Sequence, residues 1–67
     1  MNHLEISPHD HGRLRSLADA VHAAVRVEKD RAGAFVVTLR GSGWERSYSD
    51  PDLSEAIRFA NERETLT

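Results

Sequence analysis

The chain contains no cysteine, so disulfides and thiolate metal sites are excluded. A reducing, cytoplasmic setting is the expectation. It has no apolar run near the roughly 20 residues that cross a bilayer. The opening Met-Asn-His-Leu-Glu-Ile-Ser-Pro lacks a basic leader and an apolar core, so no signal peptide is expected. No sign of charge dominates: eleven acids face nine bases, for a net charge of −2. Such a balance gives no global attraction to nucleic acid or to anionic lipid. Length is also scarce. Sixty-seven residues make one domain spanning 1–67, and a chain of that size buries only roughly 60% of its unfolded surface. Without disulfides or a metal, self-association remains as a source of stability, and a homodimer is a possible state.

What charge there is lies unevenly. Residues 1–49 carry seven bases and six acids, whereas residues 50–67 carry two bases and five acids. Eight of the nine bases are arginine, which fits a GC-rich bacterial coding sequence better than selection for guanidinium chemistry.

Along the chain, His3-Leu-Glu-Ile6 alternates as a short strand does. Ser7-Pro8-His9-Asp10 reads as a helix entrance, with a capping hydroxyl, a proline in the first turn and an acid three residues after the cap. Leu14, Leu17, Ala18, Val21, Ala24 and Val25 then recur at helical spacing. The end of this helix is ambiguous, because Val25-Arg-Val-Glu-Lys29 also alternates. Asp30-Arg-Ala-Gly33 is a turn. Phe35, Val37 and Leu39 share one face of a β-branched strand, with Ala34, Val36, Thr38 and Arg40 on the other. The glycine-rich Arg40–Gly43 loop leads to a second strand, Trp44–Tyr48, and the expected pairs are Leu39 with Trp44, Val37 with Arg46 and Phe35 with Tyr48. Asp50 is expected to cap a final helix with Pro51 in its first position and Leu53, Ala56, Ile57 and Ala60 as its buried stripe. Phe59 falls on the flank of that stripe, and the tail from Glu62 to Thr67 is expected to fray.

The fold class is therefore α+β: a small antiparallel sheet of two to four strands with two helices on one face, in the order β-α-(β)-β-β-α. The strands in doubt are His3–Ile6 and Val25–Lys29.

Residues able to carry chemistry are few. His9 and His11 flank Asp10, with His3 nearby, but polar groups around a helix start explain them without a metal. His22 lies eleven residues beyond His11, about 16 Å along a continuous helix, too far to share an ion. Gly41-Ser42-Gly43 lacks the outer spacing of a nucleophile elbow and the Lys-Ser/Thr ending of a phosphate loop, and reads as a hairpin loop. Asp50 and Asp52 read as caps rather than as an acid–base pair. No catalytic residue, cofactor or metal site is assigned. The strongest recognition feature is the loop end of the hairpin, where Arg40, Trp44, Arg46 and Tyr48 combine the aromatic and guanidinium groups enriched at interfaces.

Two resemblances follow. The α-β-β-β-α order and length are similar to double-stranded RNA-binding domains, which bring lysines to the start of their last helix. This chain has Asp50, Asp52 and Glu55 there, which argues against phosphate docking. Residues 33–64, two strands and then a helix opening as Asp52-Leu-Ser-Glu-Ala-Ile57 with Ala60 four residues past Ala56, resemble the HicB antitoxin family, in which a similar sheet-and-helix unit binds a small toxin ribonuclease. That resemblance implies protein binding and carries over no functional residue. The expectation is a non-enzymatic protein-binding module, a regulator, inhibitor or accessory subunit. The alternative is nucleic-acid binding through Arg13, Arg15, Arg26, Arg31, Arg40 and Arg46, if folding gathers them on one side, with an affinity that falls steeply as salt rises.

Overall fold

The computed structural model describes residues 6–65. Ser7 opens the first helix, α1 (Pro8–Val21): its hydroxyl accepts the Asp10 amide at 3.2 Å, and Pro8 sits in the first turn where a missing N–H costs nothing. The expected entrance is present. The helix stops at His22, which adopts the left-handed conformation at φ 53°, ψ 50° and returns its N–H to the Ala18 carbonyl. This resolves the ambiguity over Val25 and takes Ala24, expected on the helical stripe, out of the helix. Once the chain reverses at His22, Ala24–Lys29 is free to run back as strand β1.

β1, β2 (Phe35–Gly41) and β3 (Trp44–Asp50) form one antiparallel sheet in sequential order. The turn between β1 and β2 is built as expected, with the Asp30 carboxylate accepting the Ala34 amide at 2.9 Å and Gly33 at φ 87°. The second turn is tighter than expected. Only Ser42 and Gly43 lie outside the strands, and Gly43 has φ 78°. The register is therefore Gly41 to Trp44, Leu39 to Arg46, Val37 to Tyr48 and Phe35 to Asp50, two residues away from the expected pairing. A shift by two keeps every side chain on its face, so the division into core and outer residues stands while each cross-strand partner changes.

The final helix, α2, spans Leu53–Thr65. Its cap is Asp52 rather than Asp50: the Asp52 carboxylate accepts the Ser54 amide at 2.9 Å and its carbonyl accepts the Ala56 amide. Asp50 instead turns the chain into the cap by accepting the Asp52 amide at 2.8 Å. Nor does the helix fray at Glu62; it stays regular to Thr65.

Both helices cover one face of the sheet. Leu14 and Leu17 of α1, Val37 and Leu39 of β2, and Leu53, Ala56, Ile57 and Ala60 of α2 form the core. Val37, Leu39, Ala56, Ile57 and Ala60 are completely buried, and each large apolar side chain so placed contributes about 1.5–3 kcal/mol relative to exposure. The expected α2 stripe is fully borne out. The α+β class is as expected, with a three-stranded sheet in the order α-β-β-β-α. The expected His3–Ile6 strand lies outside the described residues except for Ile6, which packs against the core without joining a strand.

Candidate protein-binding surface

Alternation along β3 sends Trp44, Arg46 and Tyr48 to the helix-covered face and Glu45, Ser47 and Ser49 to the uncovered one. The first three act as one unit. The Trp44 indole lies against Gly41, where a side-chain carbon would overlap it, so the glycine is what admits the ring. The Arg46 guanidinium stacks on that indole at 4.2 Å from the ring centroid. Its Nε and Nη2 both donate to Glu64, at 2.6 and 2.9 Å, in a forked pair. The Tyr48 hydroxyl donates to the same carboxylate, at 2.5 Å.

Glu64 is the pivot. Its side chain is only 7% exposed, against 53% for Arg46. The hydrogen bond from Arg46, followed by that from Tyr48, holds its carboxyl below the ordinary carboxylate range. Burial, and then the bond to Glu64, raises the Tyr48 phenol. The result ties the end of α2 to β3 and presents a tryptophan–arginine stack beside the hairpin tip.

Arg40 does not belong to this unit. It projects from the opposite face of the sheet, where its Nε donates to Glu45 at 3.1 Å. The four residues singled out from the sequence are thus three on one face and one on the other. That uncovered face carries a shallow depression of about 120 Å³ among Ala24, Arg26, Thr38, Arg40 and Glu45. Thr38 at its centre is 7% exposed and shares a hydrogen bond with the Ser47 hydroxyl at 3.2 Å.

Phe59, on the flank of the α2 stripe, is a surface residue that the sequence pattern does not single out for recognition. At 46% exposure it is the large apolar side chain left most open to solvent among the described residues. With Arg63 of α2 and Ser47, Tyr48 and Ser49 of β3 it lines a shallow groove of about 340 Å³ along the outer edge of the sheet. The available signal was its position on a helix whose apolar stripe is complete without it. Among the described residues no strand flanks β3, so alternate residues of that edge present unpaired N–H and C=O groups beside the groove.

The remaining candidates stay dispersed. His9 and His11 are exposed on the first turns of α1 and His22 caps its end, while among the described residues no group of three His, Cys, Asp or Glu side chains could hold a metal. His3 lies outside the described residues. Ser42 is a hairpin-turn residue. Of the arginines weighed for phosphate contact, Arg13, Arg26, Arg40 and Arg46 each pair with an acid; Arg26 and Arg40 share the uncovered face of the sheet, Arg46 lies on the opposite face and Arg13 on α1. Among the described residues no helix is long and apolar enough to cross a membrane. Comparison with protein-family models, with curated proteins and with solved structures finds no match to this chain.

Proposed function

We propose that this chain is a non-enzymatic protein-binding module, a small cytoplasmic regulator, inhibitor or accessory subunit of bacterial or phage origin, that takes up an extended segment of another protein along β3. The observation that carries the reading is the exposed Phe59 beside the β3 edge, which no other strand covers among the described residues. Addition of a strand there satisfies the outward backbone groups, and its inward side chains meet Phe59, Tyr48 and Arg63. The Trp44–Arg46 stack, held by Glu64, extends this surface as a pre-formed anchor. Ordering it in advance lowers the entropic cost of binding. The resemblance of residues 33–64 to HicB antitoxins points the same way. Nucleic-acid binding has less to support it, since the arginines are spread over several faces and mostly neutralised.

Selection from a displayed peptide library tests the reading. Wild-type protein is expected to enrich extended, alternating sequences. Phe59→Glu and Ser47→Pro, both at exposed positions, are expected to weaken those binders by roughly tenfold or more with an unchanged circular dichroism spectrum. Binders indifferent to both substitutions would place recognition elsewhere.

A further inference from the structure

The opposite edge of the sheet has its own logic. The Asp30 amide donates to the Ala34 carbonyl at 2.9 Å, which makes these two a hydrogen-bonded pair. By the alternation of an antiparallel ladder, Glu28, Arg26 and Ala24 are the next residues paired to β2. Val25, Val27 and Lys29 therefore turn their backbone groups outward, and among the described residues no strand covers them. The side chains of Arg26 and Glu28 lie side by side on the uncovered face, 3.6 Å apart and 68% and 57% exposed.

We infer that β1 pairs antiparallel with β1 of a second copy of this chain, about a two-fold axis at Val27. The charges select that register. Same-face pairing across such an axis requires it to pass through a residue, and four positions are available along the middle of the strand, 25 to 28. An axis at 26 sets Arg26 against its own copy, and one at 28 does the same to Glu28. An axis at 25 leaves Arg26 opposite Ala24. At 27, Arg26 meets Glu28 of the second copy and Glu28 meets its Arg26, two opposite-charge pairs in all. These are the pairs whose side chains approach most closely, because they fall between hydrogen-bonded positions. Val27 then meets Val27 of the second copy, and the half-buried Val25 and Val27, which already pack against the core, lose exposed apolar surface. Two three-stranded sheets become one of six strands, and both β3 edges remain at its ends. A small core without disulfides gains stability from such an assembly.

Sedimentation equilibrium of the full chain over a concentration series up to about 1 mM tests this, since a small interface associates weakly. Wild type is expected to approach the dimer mass. Glu28→Arg and Arg26→Glu each set two like-charged pairs across the axis and are expected to weaken self-association roughly 10- to 100-fold. An equimolar mixture of the two variants restores opposite charges at both pairs, so a heterodimer of near wild-type affinity is expected. The double variant Arg26→Glu, Glu28→Arg should self-associate as wild type does. A wild type monomeric throughout overturns the inference, as does a dimer indifferent to Glu28→Arg, or single variants that do not recover on mixing. Peptide capture at β3 is measured separately, so failure here leaves the β3 reading to stand or fall on its own.

Discussion

Replacing Glu64 by glutamine keeps the shape of the side chain and removes its charge. Three hydrogen bonds converge on this carboxylate, two from Arg46 and one from Tyr48, and its side chain is 7% exposed. Hydrogen bonds to a charged group contribute about 1.5–3 kcal/mol, but Arg46 is half exposed and solvent screens its share. The expected loss is therefore about 1–2 kcal/mol, or roughly 5–15 °C in Tm for a domain of this size. The pH dependence gives the stricter test. The folded carboxyl titrates below its ordinary value of 4.5. Its contribution is thus complete above that value and is lost as pH falls through the lower, folded one. Thermal melts of wild type and Glu64→Gln should differ by a constant amount near neutrality and converge under acid. Because the chain has one tyrosine, absorbance titration reads Tyr48 directly. Its ionisation should lie above the ordinary 10.0 in wild type and move back towards it in Glu64→Gln. Equal stabilities at neutral pH, or a gap that persists in acid, would refute the pivotal role of Glu64.

Three further outcomes are expected. Asp52→Ala should cost about 1 kcal/mol and Asp50→Ala less than half of that, because Asp52 caps α2 while Asp50 only turns the chain into the cap; urea melts of both variants decide it, and a reversed order would restore Asp50 as the cap. Gly41→Ala should displace the indole of Trp44 and destabilise the fold by about 1–3 kcal/mol; the emission of this single tryptophan should shift to the red, and an unchanged spectrum would remove the close contact. His22→Gly should raise stability by about 0.5–1 kcal/mol, since glycine enters the left-handed conformation at the end of α1 without strain; a lower Tm would show that the His22 side chain contributes more than its backbone costs.

Local chemistry made much of the fold legible. Ser7 and Pro8 announce α1, Gly33 and Gly43 supply the positive φ of two turns, and Leu53, Ala56, Ile57 and Ala60 define the buried face of α2 by spacing alone. Each is decided within a few residues of chain, so the amino-acid order suffices. The site was less legible. Trp44, Arg46 and Tyr48 stood out by residue type, but their meeting point, Glu64, lies sixteen residues beyond Tyr48 in a tail expected to fray. Arg40 was grouped with them by proximity in sequence, and strand alternation sent it to the other face.

Composition and periodicity determined the class, the two amphipathic helices and the faces of the central strand, because burial of an apolar stripe is a property of spacing. Tertiary structure alone decided where α1 ends, which acid caps α2 and how β2 and β3 are aligned. Helix and strand compete on nearly equal local terms from Val25 to Lys29, and pairing with β2 settles the contest. A shift by two residues in the hairpin preserves the hydrophobic pattern, so only the closure of the turn and the packing of Trp44 on Gly41 select the register.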